Sequence, residues 1–103
     1  MNIGKNIYQG KNELSHKIEV DSAINVNNNM LNVIKHSIDK HIDKAEGLSF
    51  IFTDLTNQLG GKWSITKFNA NLVEGFTITH HAKSSVILIV DDNIKLVIAL
   101  KGK

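Results

Sequence analysis

The sequence predicts an α+β domain in which two helices pack on an antiparallel β-sheet, in the order β-α-α-β-β-β-β. Apolar residues recur at spacings of three and four in two successive segments, which is typical of helices, and from Lys62 onward the period changes to two, which is typical of strands. Strands that follow helices in this way favour a sheet with the helices on one face. A chain of 103 residues, 42% of them hydrophobic and 21% charged, has room for one core.

The chain begins with a segment that has no sustained period. We therefore expect residues 1–15 to form a flexible extension and residues 16–103 to form the domain. His16–Val20 alternates as a short half-buried strand does, and Asp21 and Ser22 offer turn or cap chemistry after it.

Two helices are predicted next. The first runs from about Asn27 to Asp43 and starts at an asparagine run that suits a helix start; its single apolar stripe consists of Met30, Leu31, Ile34, Ile38 and Ile42. The second runs from Leu48 to Leu59 and ends at the pair Gly60-Gly61. Its apolar face is wide, which predicts burial on two sides.

Alternation of apolar and polar residues, together with turn-forming residues, predicts the remaining strands. Trp63 and Ile65 alternate with polar residues in one strand, and Phe76, Ile78 and His80 alternate with threonines in another. Val86–Val90 and Ile94–Leu100 are apolar runs on either side of Asp91-Asp92-Asn93, which predicts a hairpin of central strands.

Composition excludes several classes of function. The chain has no cysteine, so it has no disulfide and no thiolate metal site, and a cytosolic address fits best. Its basic residues are all lysines and lie scattered, whereas nucleic-acid binding usually requires a basic stripe. No stretch approaches the roughly 20 apolar residues that cross a bilayer. We expect neither nucleic acid nor membrane as a partner.

No pattern of titratable residues predicts catalysis, a metal or a cofactor. His80 and His81 are adjacent and point to opposite faces of a strand, so they cannot share a metal ion. His36 and His41 are about 140° apart on a helix, and these two are expected to be solvated or to face a partner. Asp91 and Asp92 lack the further oxygen ligands of a calcium loop. No glycine-framed nucleophile motif is present.

The most distinctive segment is Gly75-Phe-Thr-Ile-Thr-His80, a predicted strand entered through a glycine, which permits another backbone to approach closely. Together with Trp63 at the head of the preceding strand and a lysine-rich apolar hairpin at the end of the chain, it resembles the dynein light chain family of small dimeric hubs. The resemblance covers about 16–101, nearly the whole domain.

That resemblance implies a non-catalytic homodimeric adaptor whose Gly75 strand crosses to the partner subunit and pairs with its sheet. Extended segments of intracellular proteins, dynein intermediate chain among them, would add beside this strand in a groove flanked by the second helix. It also implies a cytoplasmic, cytoskeleton-associated place in a microtubule motor complex. The implied peptide-binding edge is Glu74, Gly75, Phe76, Thr77, Ile78, Thr79 and His80; the implied groove lining is Ile87 and Ile89; and the implied dimer contact is Trp63 and Ser64.

The sequence departs from the family at several of these positions. Ile87 and Ile89 replace tyrosines, which predicts a more apolar groove and different clients, and Ser64 replaces a histidine at the dimer contact. An alternative is a structural subunit whose sheet edge is held permanently by one partner. An enzyme acting on a small molecule is a third reading, and it would need convergent titratable groups in a concave site.

Overall fold

The computed structural model describes residues 14–71 and 82–102. Within these ranges the elements are β1 (Ile18–Ile24), α1 (Asn28–His41), α2 (Gly47–Leu59), β2 (Trp63–Asn69), β3 (Ala82–Val90) and β4 (Ile94–Lys101). The predicted α+β class is confirmed, with two helices and a four-stranded antiparallel sheet. The strand predicted at 76–80 lies outside the described residues.

The sheet order is β1-β3-β4-β2, so the hairpin of β3 and β4 is central, as predicted. β2 pairs with β4 without interruption from Trp63 opposite Leu100 to Asn69 opposite Ile94. The pairing of β1 with β3 shifts register between Val20 and Ser22. Asp21 is thus the extra residue of a β-bulge.

One expectation for β1 is wrong. Asp21 and Ser22 were predicted to form a turn or cap, but both lie inside β1. The strand tolerates these polar residues because it lies at the margin of the sheet, where Asp21 is exposed.

The turn between β3 and β4 takes the form that its sequence predicts. Asp91 and Asp92 have φ of 52° and 63°, and the Asn93 amide donates to the Val90 carbonyl at 3.1 Å. Positive φ at both central residues is the mark of the type I′ turn, whose twist matches that of the flanking strands. The turn therefore holds the register of the central hairpin.

The first helix begins at an asparagine cap, as predicted. The Asn27 side-chain oxygen accepts the Met30 amide at 2.8 Å, which satisfies one of the free donors of the first turn. Ile34 and Ile38 of the predicted stripe are fully buried.

The second helix ends as predicted, and part of its wide apolar face is exposed. Gly60 and Gly61 follow it with φ of 73° and 89°, a region that favours glycine. Ile51 and Leu55 are fully buried, but Phe50 and Phe52 are 47% and 44% exposed. The helix contacts both α1 and β2, as burial on two sides predicts, but Phe50 and Phe52 lie outside the apolar core cluster.

The core lies between the helices and one face of the sheet. It joins both helices to alternate residues of the strands; its buried members are Ile34, Ile38, Ile42, Ile51, Leu55, Trp63, Val86, Leu88, Val90, Leu96 and Ile98. Because side chains alternate across a strand, the intervening residues of β3 and β4 occupy the opposite face, here called the outer face. None of the described helices is long and apolar enough to cross a membrane.

Candidate interaction surface

The centre of the outer face is apolar. Ile87 of β3 is paired with Val97 of β4, and these side chains are 8% and 6% exposed. Ile89, the next outward residue of β3, is half-buried opposite Lys95. The described core cluster includes neither Ile87 nor Val97, so these residues do not contribute to the packing beneath the helices.

The two marginal strands of the sheet differ in regularity. β1 carries the Asp21 bulge, which disturbs the row of backbone groups along its edge. β2 is unbulged over seven residues, and among the strands of the described ranges its neighbour is β4 alone. A regular edge of this kind can accept an added strand through main-chain hydrogen bonds.

Helix α2 borders this edge. Asp54 points toward α1, because its carboxylate accepts from Ser37 and His41 of that helix. Phe52 and Thr56 are each about 160° around the helix from Asp54, which puts them on the opposite flank. α2 also contacts β2. The Phe52 ring is 44% exposed and is therefore accessible to a partner.

A buried hydroxyl lies on the same flank. Thr56 Oγ1 is inaccessible and has no hydrogen-bond partner among the described atoms. A buried hydroxyl without a partner costs free energy, on the order of 1–3 kcal/mol.

The sequence-predicted site residues fall into three groups. The peptide-binding edge, 74–80, lies outside the described residues, as does His81. The groove-lining pair, Ile87 and Ile89, lies on the outer face of β3. Of the dimer-contact pair, Ser64 is exposed on β2, whereas the Trp63 ring is buried in the core and its Nε1–H donates to the Gly60 carbonyl at 2.8 Å. The roles assigned to all of these residues remain predictions.

The structure brings together a polar cluster that the sequence did not reveal. Asp54 Oδ2 accepts from Ser37 Oγ at 2.8 Å and lies 3.0 Å from His41 Nε2. His41 is 7% exposed, and its ring stacks on Phe50 with the centroids 5.2 Å apart. The expectation that His41 is solvated or faces a partner is wrong, because α2 covers it.

His36 is exposed, as expected, with Nδ1 2.9 Å from the Asn32 carbonyl.

The paired aspartates of the central turn contact the start of β1. Asp91 Oδ1 accepts the Lys17 amide at 2.9 Å, and Lys17 Nζ donates to Asp92 at 3.2 Å. The bond to Asp92 is the main cause that raises the pKa of Lys17 above its ordinary value. These contacts join the central turn to the start of β1, in addition to the turn geometry that the sequence predicted.

Over 14–71 and 82–102, no group of three or more His, Cys, Asp or Glu side chains is arranged to hold a metal ion. Comparison of the chain with models of known protein families, with curated proteins and with solved structures finds no match.

Proposed function

We propose that the chain is a non-catalytic adaptor that forms a homodimer by strand exchange and binds extended segments of partner proteins by strand addition, as dynein light chains do. The observation that carries this proposal is β2, a regular seven-residue strand with one neighbour among the described strands and followed in sequence by the predicted Gly75 strand.

The length of the connection between β2 and β3 favours exchange over pairing within one chain. Ala82 is the first residue of β3, so only His81 separates this strand from a predicted strand that ends at His80. Two Cα steps reach at most about 7.6 Å. A position beside β2 lies three strand spacings from β3, about 14 Å. A strand that ends at His80 therefore fits beside β2 of a second copy but not beside its own.

The described surfaces carry apolar side chains on both sides of the sheet. Ile87 and Ile89 make the centre of the outer face apolar where the resemblance implies tyrosine hydroxyls, and Phe52 adds an exposed ring on α2, on the opposite side. Main-chain hydrogen bonds would supply affinity, and apolar residues of a client would be preferred where they meet these side chains.

Solution mass is the first test. Sedimentation over a wide concentration range at neutral pH should give twice the 11.4 kDa of one chain. Ile78→Pro removes an amide from the predicted exchanged strand and should give a folded chain of half that mass, while Ile78→Val, which keeps a β-branched side chain, should remain a dimer.

Three outcomes would count against this function. A wild-type monomer at all concentrations, or an Ile78→Pro dimer, contradicts strand exchange. A dimer that binds no member of a library of extended ten-residue peptides contradicts the exchangeable groove. In that case the same surface would instead serve a structural subunit held by one fixed partner.

The cellular setting in this proposal follows from the resemblance. A dynein-light-chain-like dimer would join a microtubule motor complex in the cytoplasm, with dynein intermediate chain among its partners. Titration of the purified dimer with a peptide from the light-chain-binding region of that chain tests this part separately from dimerisation.

A further inference from the structure

His16 lies between two carboxylates that come from distant parts of the chain. Its Nδ1 is 2.6 Å from Asp91 Oδ2 in the turn between β3 and β4, and its Nε2 is 2.9 Å from Asp43 Oδ2 just after α1. We call these three residues the His16 clasp. The imidazole side chain is 15% exposed, compared with 43% for Asp91 and 80% for Asp43.

Backbone hydrogen bonds reinforce the same junction. The His16 amide donates to Asp39 Oδ1 of α1 at 2.7 Å, and the Asp91 amide donates to the Lys17 carbonyl at 2.8 Å. The start of β1 is therefore tied to the end of α1 and to the central turn. The contacts of the His16 ring with Asp91 and Asp43 add to these backbone bonds, and they are the part of the junction that depends on the protons of the ring.

The geometry determines how many protons the ring carries. Ionised carboxylates only accept hydrogen bonds, so both ring nitrogens must donate, and this requires the doubly protonated imidazolium. A neutral imidazole has one N–H and would turn a lone pair toward the other carboxylate. The clasp is complete only while His16 is charged.

We propose that the His16 clasp is a proton-dependent fastener that holds the turn between α1 and α2 to the start of β1 and releases that turn when His16 loses a proton. The Asp43 arm is the one released, because its contact is the longer of the two and Asp43 is the more exposed carboxylate. The Asp91 arm and the backbone bonds keep β1 on the central turn.

The charged groups around the clasp favour its closed state. Asp39 and Asp43 face it from the α1 side and Asp91 from the central turn, and Lys17 lies next to it on the chain. Lys17 is itself engaged by Asp92, and its Nζ lies 3.9 Å from Glu19. His16 is thus surrounded mainly by negative charge, which stabilises its protonated form.

The directions of the pKa shifts agree with this geometry. The hydrogen bond to Asp91 raises the pKa of His16 above its ordinary 6.5, partial burial opposes the rise, and the contacts with Asp43 add to it. The bond from His16 is the main cause that lowers the pKa of Asp91 below 3.8, and the Lys17 amide contributes.

The signs of these shifts define the pH window. The stabilisation from His16 is fully present below pH 6.5 and is lost as the pH rises through the raised pKa of the folded state. The stabilisation from Asp91 is present above pH 3.8 and is lost as the pH falls through its lowered pKa. The clasp is therefore closed between the lowered pKa of Asp91 and the raised pKa of His16, and the Asp43 arm opens when the pH rises above that range.

The test is a nuclear magnetic resonance titration of the histidine rings in the full chain, with the backbone amides of Asp43 and Lys44 followed in the same samples. In wild type, the His16 ring should titrate above the ordinary histidine value, and the two amides should shift with the same midpoint. Asp43→Asn should lower that midpoint and remove the coupled amide shifts. Each pH unit by which the midpoint falls corresponds to about a tenfold weaker preference for the protonated ring.

His36→Gln is the matched control, because His36 is an exposed histidine whose ring lies beside the Asn32 carbonyl of its own helix. It should leave the His16 midpoint unchanged. Either an ordinary midpoint for His16 in wild type or amide shifts at Asp43 and Lys44 that do not follow the ring would overturn the proposal. Both readings use the folded wild-type chain, so they do not depend on how well a variant folds.

Discussion

His41 Nε2 lies 3.0 Å from Asp54 Oδ2, and this contact joins the last turn of α1 to the middle of α2. Lys44 Nζ approaches Nδ1 of the same ring at 3.5 Å. An ammonium only donates, so this approach is compatible with a ring whose proton is on Nε2 and points at Asp54. The single carboxylate of Asp54 thereby serves two donors of α1.

Removal of the Asp54 carboxylate should destabilise the domain. Asp54→Ala leaves Ser37 Oγ and His41 Nε2 without an acceptor, and a buried donor left unpaired costs about 1–3 kcal/mol. The measurement is the free energy of unfolding from urea denaturation at pH 7. Asp21→Ala, at an exposed position of β1, should stay within about 0.5 kcal/mol of wild type. Equal stabilities for the two variants would contradict this role of Asp54.

Gly47→Ala should destabilise the chain, although alanine is the better helix former by about 1 kcal/mol. A Cβ at Gly47 would collide with the backbone carbonyl of His41, and a carbonyl at the end of a helix cannot move aside as a flexible side chain can. Overpacking of this kind typically costs about 1–3 kcal/mol. Thermal unfolding should show a lower midpoint for Gly47→Ala and little change for Ser49→Ala at an exposed position of the same turn. A stabilised Gly47→Ala chain would mean that α1 and α2 do not approach so closely.

Asn27→Ala should lower the stability by about 0.5–2 kcal/mol, because the Met30 amide loses its cap. Asn29→Ala, two residues later and exposed inside α1, should be neutral or slightly stabilising, since alanine has the higher helix propensity. Denaturant titration of the two variants in parallel measures both free energies of unfolding. The opposite order of stabilities would show that the helix starts elsewhere.

The double variant Ile87→Tyr, Ile89→Tyr tests the client preference that we propose. Peptides that bind dynein light chains should bind wild type weakly and the double variant more tightly, because the added hydroxyls can hydrogen-bond a client. Isothermal titration with one such peptide measures both affinities. Ile87→Leu, Ile89→Leu is the matched apolar control and should leave the affinity low. If wild type bound such a peptide as tightly as dynein light chains do, the proposed change of client preference would be contradicted.

The local features of the fold could be read from the sequence because each depends on neighbours in the chain. The three-and-four spacing of Ile34 and Ile38 identifies the buried stripe of α1, Asn27 its cap, and Asp91-Asp92 the turn between β3 and β4. In each case the signal lies within a few residues of the structure that it predicts.

Contacts between elements could not be read in the same way. His16 meets Asp43 and Asp91 across 27 and 75 residues, and Asp54 meets His41 across 13. These pairings depend on how the helices and the turn are placed in space, and periodicity carries no information on this. The exposure of Phe50 and Phe52 has the same origin, because an apolar pattern does not say how many neighbours a helix will have.

The bulge at Asp21 has a consequence for the size of any assembly built on this sheet. A sheet with two regular margins can be copied from chain to chain without end, which is the geometry of a fibril. Here one margin is regular and the other is bulged. On the β1 side, a further chain would meet only the bulged margin, whether or not the other margin is occupied. The irregularity of β1 thus disfavours open-ended polymerisation through that side of the sheet.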